Sequence, residues 1–96
     1  MVLEVAVFNI KPGEEEAFAA AYASVRELVA TTPGCLSVRM TRGVESPSRF
    51  VLLIEWESVA AHVDNFRASD RFPAWRSAIG PHFDGTPLVE HYTDLD

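Results

Sequence analysis

The chain has 96 residues, 48 % of them hydrophobic, with eight Lys and Arg against fourteen Asp and Glu and a formal net charge of −6. This is the make-up of a single acidic globular domain over residues 1–96. The charge leaves no basic stripe to displace counterions from phosphate, which excludes nucleic acid as a partner and disfavours an anionic membrane surface.

No apolar run reaches the ~18–20 residues of a membrane span, so no membrane association is expected. No basic segment opens the chain, so no signal peptide is expected, and the expected location is cytoplasmic. The single cysteine, Cys35, has no partner for an intrachain disulfide and reads as a small buried apolar residue at the start of a strand.

Residues 2–10 read as a strand. Leu3, Val5, Val7 and Asn9 point one way, and Val2, Glu4, Ala6, Phe8 and Ile10 the other. Both sets are mainly apolar, as expected of a strand covered on both faces. Lys11-Pro12-Gly13 breaks it. Glu14, Glu15 and Glu16 then open a helix, where the positive end of the helix dipole favours acids. Phe18, Ala21, Tyr22, Val25, Leu28 and Val29 recur at i, i+3, i+4, i+7 and form its core stripe. Thr31-Thr32-Pro33-Gly34 stops it.

Residues 35–41 form a second strand, with Leu36, Val38 and Met40 on one face and Cys35, Ser37 and Arg39 on the other. Residues 42–48 carry Gly and Pro and form a hairpin loop. Residues 49–57 are the third strand, with Phe50, Leu52, Ile54 and Trp56 on one face and Val51, Leu53 and Glu55 on the other. Ser58 is an N-cap for a short helix over residues 59–67, which clusters Val59, His62, Val63 and Phe66 on one side. Ser69 caps a second helix whose inner face carries Phe72, Trp75 and Ile79, with Arg76 beside them. Gly80-Pro81 ends it. Residues 81–87 are a loop, 88–93 the last strand, and 94–96 a polar tail.

The order strand, helix, strand, strand, helix, strand is the ferredoxin-like βαββαβ arrangement: a four-stranded antiparallel sheet with helices on one face. The opposite sheet face is apolar and is expected to pack on a second copy, giving a homodimer. A domain of this size buries only roughly 60–65 % of its unfolded surface and gains from such a partner.

The segments VFNIKPGEEEAF, PGCLSVRM, RFVLLIEWES, AAHVDNFRASDRF and PLVEHY together resemble the antibiotic biosynthesis monooxygenase (ABM) domain of the dimeric α+β barrel superfamily. The resemblance spans nearly the whole chain. It implies a homodimer, a pocket between sheet and helices, and, in several members, oxygenation of a phenolic or quinol substrate without metal or flavin.

That chemistry needs a base to remove a phenolic proton, a donor to hold the anion, and a dry aromatic cage. His62 is the candidate base, because neutral imidazole is available at pH 7. Trp56, Phe66, Phe72 and Trp75 are the candidate cage. Arg39 or Arg76 is placed to hold an anionic oxygen, and Asn9 to orient a carbonyl. Each of these also has a purely structural role open to it, so the alternative is a non-catalytic dimeric barrel that binds a small apolar ligand or is merely stable; a small aromatic molecule is the expected partner of the cage.

His82 is expected to be solvated in its loop, and His91 to make a dimer contact. No metal is expected, since the three histidines lie on different elements without ligand spacing. The resemblance also disfavours haem degradation. Haem-degrading relatives carry an Asn on the first strand and a Trp and a His flanking the second helix; those positions here hold Ala6, Phe66 and Arg76.

Overall fold

The computed structural model describes residues 1–96. Four strands, β1 (Val2–Asn9), β2 (Cys35–Arg42), β3 (Arg49–Trp56) and β4 (Leu88–Tyr92), form one sheet in the order β2-β3-β1-β4, every neighbouring pair antiparallel. Helix α1 (Glu15–Ala30), a π-helical segment (Ala61–Arg67) and helix α2 (Arg71–Ile79) cover one face. The ferredoxin-like α+β arrangement expected from element order is the one observed.

Strand alternation decides what is buried. Ala6, Phe8 and Ile10 from the first strand region and Phe50, Leu52, Ile54 and Trp56 from β3 meet Phe18 and Val29 of α1 and Trp75 and Ile79 of α2 in one core. Leu3, Val5, Val7, Val51 and Leu53 face the other way and are half-buried, shaded only by their neighbours in the sheet. In β2 the pairing register shifts between Cys35 and Ser37. This bulge makes Leu36 an extra residue that does not follow Val38 inward, and it is 51 % exposed. Cys35 is half-buried rather than buried.

The Ser58 cap forms as expected, its Oγ accepting the Ala61 N–H at 3.1 Å. The winding after it differs from an α-helix. The Ala68 N–H reaches the Val63 carbonyl, five residues back, at 2.9 Å. The wider turn brings Ala61, His62 and Phe66 inward and leaves Val59 and Val63 exposed. Gly34, at φ +93°, sits against this segment, where any Cβ would lie 2.6 Å from the Cβ of Ala61. Helix α2 runs into a single 3₁₀ turn, Gly80–His82. That turn is tied to the end of β1 by Lys11 N–H to His82 O at 2.9 Å and Asp84 N–H to Asn9 O at 2.7 Å. His82 is therefore not a solvated loop residue: its Nδ1 lies 2.9 Å from Glu14 Oε1.

Candidate functional site

The site begins with an acid in the wrong place. Glu4 alternates with Val2 and Ala6 on the helix-covered face of β1 and is 5 % exposed. The sheet register supplies its surroundings. Opposite Glu4 stand Ile54 on β3 and His91 on β4, and Trp56 lies diagonally across, opposite Val2. Trp56 Nε1–H donates to Glu4 Oε1 at 2.9 Å. The π-helical segment lowers His62 onto the same oxygen, with Nε2 3.3 Å from Glu4 Oε1. On the far side of the ring, His62 Nδ1 is 2.8 Å from His91 Nε2. Trp56 stacks on His62 with ring centroids 5.1 Å apart and planes 15° from parallel.

Burial dominates the electrostatics. It pushes the Glu4 carboxyl above its ordinary range, against the opposing pull of the Trp56 hydrogen bond and the Arg67 charge. It pushes His62 down to about 4, helped by the nearby His91 and Arg67. Both shifts favour uncharged partners. The three groups can share protons in two complementary ways. With Nε2–H on His62 pointing at the carboxylate, Nδ1 accepts from His91. With the proton on the carboxyl, Nε2 accepts and Nδ1–H donates to His91. Because Oε1 takes both the Trp56 and the His62 contacts, Oε2 is left free.

Glu4 and His62 form one wall of a cavity of about 410 Å³, within the usual size range for small-molecule sites. Ala6, Phe8, Leu52 and Ile54 make the floor on the sheet. Phe66, Phe72 and Trp75 make the helical wall, and residues 86–89 close a side. Phe66 meets Phe72 and Trp75 edge-on, at centroid distances of 5.9 and 6.0 Å, a favourable packing that fixes the aromatic wall. Arg67 and Arg76 also line the cavity and are exposed, so they lie at its rim.

Of the residues proposed from sequence, His62, Phe66, Phe72, Trp75 and Arg76 come together around this cavity. Trp56 is fully buried behind His62 and orients Glu4 instead of lining the space. Arg39 and Asn9 do not belong to the cavity. Arg39 pairs with Leu53 on the open sheet face, and Asn9 pairs with Arg49 there, its Oδ1 accepting from Arg49 Nε at 3.2 Å. His91 is half-buried and turns inward, its Nε2 meeting His62 Nδ1. Sequence reasoning missed Glu4, Arg67 and His91. Glu4 did carry a signal, as the one acid among alternating apolar residues. No group of three or more His, Cys, Asp or Glu side chains is arranged to hold a metal ion, and no helix is long and apolar enough to cross a membrane.

A ferredoxin-like α+β domain with an aromatic cavity between sheet and helices is the class these features define. The family follows from comparison. The antibiotic biosynthesis monooxygenase family model matches residues 1–78, and the chain belongs to that family. A protein of Bordetella bronchiseptica assigned to the antibiotic biosynthesis monooxygenases is 35 % identical, with 98 % of this chain and 96 % of that one covered and a TM-score of 0.93. The uncharacterized YczJ protein of Bacillus subtilis is 28 % identical over 95 residues, 99 % of this chain and 100 % of that protein. SnoaB of Streptomyces nogalater, a cofactor-independent oxygenase solved as a mutant, shares the fold at a TM-score of 0.85 and 19 % identity over 99 % of this chain and 93 % of that one.

Proposed function

We propose that this protein is a cofactor-independent monooxygenase that oxidises a small hydroxylated aromatic or quinol in the sheet–helix cavity. The observation that carries the reading is the buried Glu4–His62 pair, backed by half-buried His91 and opening on an aromatic space. Membership of the monooxygenase family supports it.

The reaction needs an electron-rich anion. The Glu4–His62 pair takes the phenolic O–H proton, and Phe66, Phe72 and Trp75 hold the ring away from water. The phenolate passes one electron to dioxygen, and the resulting radical pair closes a carbon–oxygen bond. The pair returns its proton to the peroxide. Loss of the ring C–H proton then breaks the O–O bond, and hydroxide leaves with that proton as water. One oxygen atom stays on the ring as a carbonyl. The residues' part is to hold the proton, orient the ring and exclude solvent. Ala6, Phe66 and Arg76 line this cavity, and they are the residues on which the resemblance disfavours haem degradation.

The test is ¹⁸O₂ labelling with a panel of quinols and polyphenols, using chelator-treated protein. One labelled oxygen per product molecule is expected. No incorporation above autoxidation with any member would overturn the proposal, and binding without turnover would favour the non-catalytic alternative.

A homodimer joined through the sheet faces completes the reading. Leu3, Val5, Val7, Val51 and Leu53 form an apolar surface that no element of this chain covers, and each Å² removed from water there contributes about 25 cal/mol.

A further inference from the structure

We infer that the substrate of this cavity carries a carboxylate beside its hydroxylated ring, received at the rim by Arg67 and Arg76. This rests on the reading of the cavity as a hydroxyaromatic site and adds the class of molecule that fits it.

The charge census points this way. The chain is acidic overall, with fourteen Asp and Glu against eight Lys and Arg. Its cavity reverses that balance: the titratable groups lining it are Glu4, His62, Arg67 and Arg76. Glu4 lies at the back, held by Trp56 and next to His62. The rim is therefore cationic, which is unexpected for a patch on a protein of net charge −6.

The two arginines are also uncommitted. Four of the other five arginines are tied down; the fifth, Arg39, stands opposite Leu53 on the open sheet face, outside the cavity. Arg26 and Arg42 pair with Glu27 and Glu16, Arg49 donates to Asn9, and Arg71 donates to Leu28 O and Thr31 Oγ1. Arg67 and Arg76 form no ion pair with any carboxylate in the chain. Each is nevertheless placed. The Arg67 guanidinium lies 5.6 Å from the centre of the Phe72 ring, over the aromatic wall itself. The Arg76 stem runs close over Gly80, where a Cβ would meet its Nε at 3.6 Å. The charge of Arg67 is felt at both Glu4 and His62, so its field reaches the back of the cavity.

A neutral phenol would leave both guanidinium groups idle. A hydroxyaromatic carboxylate satisfies one or both at the rim while its hydroxyl reaches the Glu4–His62 pair. Guanidinium suits this role because its planar fork matches a carboxylate with two parallel hydrogen bonds.

The test compares 5-hydroxy-1-naphthoate, whose hydroxyl and carboxylate lie on different rings, with 1-naphthol, binding followed anaerobically by tryptophan fluorescence and calorimetry. The carboxylate is expected to bind about tenfold tighter or better at low salt, with the advantage shrinking as salt rises. Arg67→Gln and Arg76→Gln should each reduce that advantage, and the double variant should abolish it while 1-naphthol binding stays within about twofold. Equal affinities in the wild type, failure of both probes to bind, or a preference that survives in the double variant would overturn the inference. Turnover of uncarboxylated quinols with no carboxylate preference sinks this inference alone. A carboxylate preference without oxygen uptake upholds it and sinks the oxygenase reading.

Discussion

Glu4 and His62 meet at 3.3 Å in the interior of the domain, an acid from the first strand against a base from the π-helical segment. A core of this size has no structural need for either group, because an apolar pair of similar volume is commonly as stable or more so. Both are retained, with Trp56 and His91 bonded to them, and the proposed oxygenation uses the pair to carry a proton.

His91 is expected to act as the outer member of the chain. His91→Phe leaves His62 Nδ1 without its 2.8 Å partner and frees the ring to take the wrong tautomer. Oxygenation should fall by about tenfold to a hundredfold, while the protein stays folded by circular dichroism. The effect should appear mainly in kcat, because His91 does not line the cavity. A rise in KM at unchanged kcat would remove His91 from the relay.

The pH dependence of stability has a fixed sign. His62 has a folded pKa of about 4 against an ordinary 6.5. Between those values the unfolded chain takes up a proton that the folded chain refuses. Its contribution is therefore full above pH 6.5 and lost as pH falls toward 4, to a total of about 3 kcal/mol. Glu4 acts in the opposite sense. Its raised pKa means that the folded state holds a proton the unfolded state releases, so its burial costs stability as pH rises above 4.5. The melting-temperature advantage of wild type over His62→Gln should grow from pH 4 to pH 6.5. A constant difference would show that His62 titrates as a solvated histidine does.

Trp56→Phe keeps most of the buried ring and removes the Nε1–H donor to Glu4. Losing a hydrogen bond to a buried acid costs about 1–3 kcal/mol. Denaturant unfolding should register that loss, and Glu4→Gln in the same background should recover part of it. Full additivity of the two substitutions would mean that the bond contributes nothing.

Gly34→Ala tests the packing of the π-helical segment. The position needs positive φ, and the new methyl would collide with Ala61 at 2.6 Å. Destabilisation of about 1–3 kcal/mol is expected, visible as a drop in melting temperature of several degrees. A melting temperature within 1–2 °C of wild type, on this scale about 0.3 kcal/mol, would mean that the loop has room to move.

Val51→Lys with Leu53→Lys places charge on the open sheet face, away from the cavity. Light scattering should find the wild type as a dimer at micromolar concentration and the double variant as a monomer with its fold intact. A monomeric wild type would contradict the sheet-to-sheet homodimer.

Much of the fold was legible because Lys11-Pro12-Gly13, Thr31-Thr32-Pro33-Gly34 and Gly80-Pro81 mark the element ends and the element order admits few topologies. The face that the helices cover was not, since both faces of β1 are apolar. That ambiguity is why Asn9 and Arg39 were placed near a pocket they do not reach. The inward turn of His91 depends on the β1–β4 register, which pairs residues more than 80 positions apart. Glu4 was visible as an exception in its strand, but its partners come from β3, β4 and the π-helical winding. Local periodicity reports none of these.

The central claim is that the Glu4–His62 pair removes a proton from a ring held in the cavity. Oxygen consumption by wild type, Glu4→Gln and His62→Gln on a common quinol panel tests it most directly. Wild type should consume oxygen well above autoxidation, and each variant should lose about a hundredfold to ten-thousandfold in kcat. Wild-type turnover that survives either substitution within about threefold would contradict the account.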